Sequence, residues 1–201
     1  DEQIEQRLGK IQEQVGHLRD IMEDVLQLAR LQAHRTEFNP TRLNLDSLCR
    51  TILDEFQSQS DGAHHLIYTC NDALYELELD KKLIRQAINN LVSNALKYSP
   101  VDSTITVTLA YTAETLVLSV YDEGIGIPAP DLDHLFEPFH RAVNVGTISG
   151  TGLGLVIAKE AVELHSGTIT VESQVGIGTA FTITIPLFAS GANDYDDNTG
   201  N

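Results

Sequence analysis

The chain has 201 residues, 42% of them hydrophobic, which is enough for one full domain with a buried core plus an extra element. Acidic residues outnumber basic ones 29 to 13, giving a formal charge of -16, and no lysine and arginine cluster offers a path for a phosphate backbone, so nucleic acid is excluded as a partner. No apolar run approaches the roughly 18 residues of a membrane span and the start DEQIEQRLGK lacks a signal-peptide layout, so the chain is expected to be soluble and cytoplasmic, with any membrane tether lying upstream.

In residues 1–35, Ile4, Leu8, Ile11, Val15, Leu18, Met22, Val25 and Ala29 follow one another at alternating steps of four and three. Such a heptad seam belongs to a helix packed lengthwise on partner helices, and one helix cannot bury it alone. The competing arrangement is an amphipathic helix lying on its own domain. Asn39-Pro40 disfavours helix and stops the seam, which makes residues 36–45 a linker. Asp46 can then cap a helix that carries Leu48, Cys49, Ile52, Leu53 and Phe56 on one face. Two short strand-like runs follow, near Leu66 to Cys70 and Leu74 to Leu79, and Asp80 is a second N-cap for a long helix to about Tyr98. Strands are expected over Thr104–Ala110 and Thr115–Asp122, then a loop-rich segment, a helix led by glycines, and a hairpin of GTITVES and AFTITIPL. This order predicts one α+β domain over 46–188, a mixed sheet with helices on one face, preceded by a coiled-coil-like helix. The small, polar, acidic tail 189–201 is expected to be disordered. Cys49 and Cys70 sit singly in apolar contexts, which suits buried thiols better than a disulfide framework.

Chemistry first shows in DKKLIRQAINNLVSNALKYSP. Ile88, Leu91, Val92, Ala95 and Leu96 cover a core-facing arc, while Asn90, Asn94 and Lys97 fall within about 60° of one another on a different arc. An amide oxygen is a hard ligand suited to Mg²⁺, and an ammonium meets phosphate as a point charge, although a solvated helix face would look the same. In LVLSVYDEGIGIP, alternation puts Leu116, Leu118, Val120 and Asp122 on one side of a strand, so a carboxylate ends a row of core residues. Left unpaired, a buried charge is strongly unfavourable. Its partner is either the backbone of an Asx turn or a planar base with an amino donor, such as adenine. Gly124 and Gly126 behind it let a ligand approach the main chain. In SGTGLGL the glycines precede Leu155, Val156, Ala158, Ala161 and Val162, so they occupy the loop and first turn of a helix. The N–H groups and partial positive charge of a helix start suit phosphate oxygens; a tight turn is the alternative. The loop lacks the Gly-Lys-Ser/Thr ending of a P-loop and does not sit in a first βαβ unit.

Taken in order, NNLVSNALKYSP, DEGIGIP, LFEPFHR and GTGLGL resemble the N, G1, F and G2 boxes of sensor histidine kinases, over about residues 43–188. The resemblance implies the Bergerat fold, an α/β sandwich shared with gyrase and related ATPases, with ATP and Mg²⁺ bound. It implies that Asn94 holds Mg²⁺, that Asn90 and Lys97 assist at the phosphates, that Tyr98 flanks the nucleotide and that Asp122 binds the adenine amino group. Arg141, in the F box, would reach the γ-phosphate. Gly124, Gly126, Gly150, Gly152 and Gly154, with Thr151 and Leu153 between the last three, would shape the pocket and a lid over about 128–150. LQLARLQAHRTEFNPTRLNL likewise resembles the end of a second dimerisation helix and its linker. The implied partners are therefore ATP, the protein's own dimerisation domain in a homodimer built through helix 1–35, and a response regulator receiver domain.

Departures from the family pattern refine this expectation. The phosphoacceptor box, a histidine followed by an acidic residue and then Leu-Arg-Thr-Pro, is absent and by the resemblance lies upstream of Asp1, so this chain is not expected to autophosphorylate alone. His17, in GHLRD, lacks the following acid and the proline and falls between Val15 and Leu18, as a solvated helix residue would. Glu123 stands where a small polar residue is commoner, and His140 at a position often aromatic, as a packing or lid residue. In the hydrolysing members a glutamate four residues before the magnesium asparagine activates water; here that position is Asn90, and an amide cannot take a proton near neutral pH. Transfer to a protein acceptor, which needs positioning and charge neutralisation, is therefore expected over rapid hydrolysis. The alternatives are an anti-sigma-type serine kinase, which has no need of the heptad helix, and a pseudokinase scaffold, which would be expected to have lost Asn94, Asp122 or the glycines.

Overall fold

The computed structural model describes residues 37–59, 63–71, 76–112, 114–146 and 148–187, with scattered residues between 7 and 29. His17, the seam residues Ile4, Leu8 and Ile11, and the tail 189–201 lie outside the described residues. In chain order the elements are β1 (Thr41–Asn44), α1 (Leu45–Gln59), β2 (His65–Cys70), β3 (Glu76–Leu79), α2 (Lys81–Tyr98), β4 (Thr104–Tyr111), β5 (Thr115–Asp122), α3 (Ala129–Leu132), a 3₁₀ turn (Val143–Val145), α4 (Gly154–Glu163), β6 (Thr168–Gln174) and β7 (Gly178–Pro186).

Five strands form one sheet in the order β2-β4-β5-β7-β6, with β2 parallel to β4 and every other pair antiparallel. Strict alternation gives that sheet two unlike faces. On the inner face Val107 stands opposite Val120, which stands opposite Phe181, and all three are buried under the helices. Leu91 and Ile88 of α2 and Ile157 of α4 are at most 1% exposed there, each contributing about 1.5 to 3 kcal/mol of burial. On the outer face one register row runs Thr69, Thr108, Ser119, Thr182, Thr170 across all five strands, with Ser119 Oγ and Thr182 Oγ1 at 3.1 Å. Threonine keeps β-branching on a surface without an apolar cover.

The segment anticipated as a linker supplies a strand. β1 pairs antiparallel with β3, Leu43 opposite Leu77, as a separate two-stranded sheet. A second correction concerns Asp46, which is not the cap of α1. Asn44, the last residue of β1, accepts the Ser47 N–H on its side-chain oxygen at 2.8 Å and so fills the N-cap role. Asp46 instead lies 7% exposed in the first turn, accepting from Tyr68 Oη at 2.9 Å and Arg50 Nε at 3.0 Å. The Arg50 hydrogen bond, opposed by burial, holds its carboxyl below the usual range. Asp80 does cap α2, its Oδ1 accepting from Lys82 N at 3.0 Å and Leu83 N at 3.1 Å. Cys49 is buried and its thiol is pushed up to about 12 by desolvation, and no disulfide joins it to Cys70.

The described residues between 7 and 29 are helical, and Val15, Leu18, Met22 and Val25 of the seam are exposed. Leu28, off the seam, is 7% exposed and joins the core of the domain, with Asp24 and Ile21 half-buried one turn and two turns before it. One stripe of this helix thus lies on its own domain, and the described part of the heptad seam is exposed. Among the described residues no helix is long and apolar enough to cross a membrane.

Candidate functional site

Five parts of the chain meet around a cavity of about 300 Å³: the N-terminal helix at Asp24, the second half of α2, the end of β5 with its following loop, the lid with the start of α4, and the start of β7. Of the residues singled out in the sequence, Asn90, Asn94, Lys97, Tyr98, Asp122, Gly126, Arg141, Gly150, Thr151, Gly152 and Gly154 line it. Gly124 and Leu153 do not. Gly124 sits behind the wall and gives its N–H to Asp122 Oδ1 at 2.8 Å, while Leu153 is fully buried with its N–H on Thr151 Oγ1 at 3.1 Å. Asn89, beside Asn90 in sequence, is likewise not part of the wall. The 3.6-residue period, which separates Asn89 from Asn94 by about 140° around the helix, is the reason.

Asp122 is 5% exposed, and burial pushes its carboxyl up to about 6, against the backbone N–H groups of Gly124 and Thr179, which pull it down. Both partners considered for it are compatible: the Asx-type bond to Gly124 forms, and the carboxylate still lines the cavity. At the other side, Asn90 Nδ2 is buried without a protein acceptor, a donor suited to an anionic oxygen. Lys97 is half-buried; desolvation first, then the charge of Arg141, lowers its pKa, and its Nζ stands 5.1 Å from the centre of the Tyr98 ring. α4 begins without a side-chain cap, so its first N–H groups open toward this wall.

The lid is folded and tied down. Asp131, 8% exposed, accepts the Val143 N–H on Oδ2 at 3.1 Å and has Oδ1 3.4 Å from His140 Nε2. Asn144 Nδ2 donates to the Gly126 carbonyl at 2.8 Å, and Arg141 donates to the Ile148 carbonyl. Phe139 N donates to the Gly152 carbonyl at 3.1 Å, and Gly152 has φ +72° with room for no Cβ, since one would stand 2.8 Å from the Phe139 backbone. The bare backbone of the glycine loop is therefore needed for the lid as well as for any anion.

Sequence reasoning missed several wall residues, chiefly Thr179, Asn144 and Asp24. Thr179 follows Gly178, whose φ of +147° and carbonyl neighbour matter: a Cβ there would lie 1.9 Å from the Asp122 carbonyl oxygen. The β6–β7 turn is thus pressed onto the end of β5, and the only local signal was the GIGT at the start of the last strand. Gly178→Ala is expected to cost about 2 to 4 kcal/mol through strain and clash, read as a lowered denaturant midpoint. Asp24 comes from the N-terminal helix and accepts the Thr151 hydroxyl on Oδ2 at 2.8 Å.

The family of histidine kinase-, DNA gyrase B- and HSP90-like ATPases matches residues 79–189, which include α2, the lid and the glycine loop. The chain belongs to that family. It is 35% identical over 181 residues to sensor histidine kinase WalK of Bacillus subtilis (strain 168), covering 88% of this chain and 30% of WalK. To histidine protein kinase DivJ of Caulobacter vibrioides it is 32% identical over 179 residues, again covering 88% of this chain and 30% of DivJ. The chain thus spans under a third of the length of these relatives. The catalytic domain of histidine kinase ThkA superposes with a TM-score of 0.66 at 27% identity, covering 74% of this chain and 97% of that one. Full-length ShkA, solved in complex with AMPPNP, shares the fold at a TM-score of 0.77 and 23% identity over 92% of this chain and 39% of its own. The α+β sheet with helices on one face is therefore the architecture of histidine kinase catalytic domains, and these relatives give no support to a serine kinase.

For an ATPase-family domain the ligand class is ATP, and the cavity's chemistry suits it. A buried carboxylate at one wall matches an amino donor; an unpartnered amide N–H, two cations and an uncapped helix start match phosphates. A divalent ion fits on different terms. Among the described residues no group of three His, Cys, Asp or Glu could hold a metal, so Mg²⁺ here would combine the single Asn94 amide with oxygens of the nucleotide.

Proposed function

We propose that this chain is the ATP-binding catalytic portion of a sensor histidine kinase, which moves the γ-phosphate of ATP to a histidine on a dimerisation domain for relay to a response regulator. The observation that carries the proposal is one cavity that gathers Asn94, Asp122, Lys97 and the glycine loop, with the amide Asn90 where hydrolysing relatives have a base. In this reading the domain is 46–188 extended by β1, and Asp122, held by Gly124, accepts the adenine amino group while Tyr98 flanks the nucleotide. Asn90 Nδ2, Lys97 and the N–H groups around Gly150, Thr151, Gly152 and Gly154 bind phosphate oxygens, with Leu153 anchoring that turn. Mg²⁺, held by Asn94 and the phosphates, would neutralise charge as the terminal phosphoryl group leaves. Arg141, exposed in the lid, swings from the Ile148 carbonyl to the γ-phosphate. The exposed seam through Val15, Leu18, Met22 and Val25 joins helix 1–35 to dimerisation helices in a homodimer, at the cytoplasmic side of the cell.

Incubated with radiolabelled ATP and Mg²⁺, the chain alone is expected to label itself negligibly. A separate domain carrying its acceptor histidine should be labelled in trans, slowly and in proportion to concentration, because losing the covalent link forfeits an effective concentration on the order of millimolar. Acid-labile phosphate on this chain alone that vanishes in His17→Ala would overturn the proposal that the acceptor lies elsewhere.

Asp24 allows a further prediction. Its carboxylate stands at the wall of a site meant for a triphosphate, and like charges repel. Asp24→Asn keeps an acceptor for Thr151 and is expected to tighten ATP binding about two- to tenfold, by relief of a partly screened like-charge repulsion of about 0.4 to 1.4 kcal/mol, in calorimetry at low salt. Weaker binding would show that the carboxylate helps rather than hinders.

A further inference from the structure

α2 and α4 run alongside each other, with the cavity at the second half of one and the start of the other. Their opposite ends meet in a buried node about 15 Å from Asn90 along α2. His165, just past the end of α4, is 6% exposed. Its Nδ1 lies 2.7 Å from the Ala161 carbonyl oxygen, which can only accept, so Nδ1 carries the proton. Nε2 is then an acceptor, and it takes the Asp80 N–H at 2.9 Å. Both partners demand the same neutral tautomer. Asp80 is 7% exposed and is engaged from every side: Oδ1 caps α2, its N–H goes to His165, and Oδ2 accepts the Asn39 N–H at 2.9 Å. From the same stretch before β1, the Phe38 ring meets the His165 ring edge-on, centroids 5.0 Å apart and planes at 83°.

We propose that His165 is a positioning residue that couples the segment Phe38–Asn39 to the two helices bearing the nucleotide-binding side chains. This rests on the reading of the cavity as the ATP site. Each helix is a stiff rod, so its far end answers for its near end. Moving Phe38 and Asn39 withdraws a donor from the α2 cap and a ring from His165 at once, which loosens the spacing between Asn90 on α2 and Gly154 on α4. A Cβ on Gly154 would stand 3.5 Å from Asn90 Oδ1, an ordinary contact distance, so the two helices are direct neighbours at this point and a shift of either changes that spacing. The segment that leads to the N-terminal helix and the nucleotide therefore act on one another, each tightening what the other binds.

Protonation gives the node a distinct signature. An imidazolium would turn an Nε2–H donor on the Asp80 N–H, two donors facing. Burial lowers the pKa of His165, against the Ala161 hydrogen bond and the charge of Asp80, the one titratable group that acts on it from α2; Phe38, Asn39 and Ala161 carry none. For a depressed histidine the stabilisation is complete above its ordinary value of 6.5 and is lost as pH falls through the folded value.

The test compares the chain with Phe38→Ala, His165→Phe and His165→Gln, by calorimetry with ATP and Mg²⁺ at neutral pH and by NMR of the Asn39 and Asp80 amides. Phe38→Ala and His165→Phe are expected to weaken ATP binding about three- to tenfold, and His165→Gln, which keeps an uncharged acceptor, by less than about twofold. The two amides should shift on ATP addition and titrate together below 6.5 in the parent, and the titration should be absent in His165→Gln. Parent-like ATP affinity in folded Phe38→Ala and His165→Phe overturns the coupling. Should His165→Phe not fold, Phe38→Ala decides alone, because Phe38 is 42% exposed and its loss leaves the core intact. A parent that binds no ATP overturns the nucleotide reading itself, whereas a parent that binds it with insensitive variants overturns only the coupling.

Discussion

Asp122→Asn is expected to abolish ATP binding, by at least about 100-fold, in a protein that remains folded. The buried carboxylate is an acceptor held in place by the N–H groups of Gly124 and Thr179, and in the proposed reading its remaining acceptor capacity takes the adenine amino group. An asparagine that keeps the Gly124 bond on its oxygen turns an N–H₂ toward that amino group, so two donors face each other where a charged hydrogen bond worth about 1.5 to 3 kcal/mol had formed. Stability should move the other way. A carboxyl raised to about 6 in the fold, from 3.8, binds its proton more tightly folded than unfolded, so the stability it lends is complete below 3.8 and lost as pH rises through about 6. At neutral pH the ionised Asp122 is a burden to the ligand-free fold, and the asparagine should unfold at the same or a higher temperature. ATP affinity of the parent should fall as pH drops through about 6 and that step should vanish in the variant. Unchanged calorimetric affinity in a folded Asp122→Asn protein would sink the assignment.

The second large effect is expected on α2. Asn94→Ala should lower magnesium-dependent nucleotide binding and trans-phosphorylation at least about 100-fold, whereas Asn89→Ala, the same truncation about 140° around the helix, should leave both within about threefold. Asn94 lines the cavity and Asn89 does not. The control is sharper than a distant surface residue, because Asn89 Oδ1 is itself a buried acceptor without a partner, so its removal tests helix integrity too. Equal losses from the two substitutions, in folded proteins, would mean that the stripe of Asn90, Asn94 and Lys97 has no special standing. Omitting Mg²⁺ should erase the difference between parent and Asn94→Ala.

The elements and the cavity wall were largely legible in the chain because their signals are local. A period of 3.6 residues sets Asn90, Asn94 and Lys97 on one stripe and Leu91 on another, alternation puts Asp122 on the buried face of β5, and GTGLGL marks a helix start. None of these needs knowledge of what lies elsewhere. The competition between equivalent local signals was not legible: Asn44 and Asp46 are both good caps, and β1, ending at Asn44, decides between them by pairing with β3, some 35 residues on. Nor could the sequence show that Gly178 and Thr179 press on Asp122, that Asp24 reaches Thr151 across 127 residues, or that His165 meets Asp80 across 85. Local geometry repeats along a chain and can be read from spacing, whereas a contact between distant segments depends on the register and packing of everything between them. Most of the residue types that line the site, and the local bond from Gly124 to Asp122, were therefore written in the sequence, and the tertiary structure decided the long-range contacts that hold the others in place.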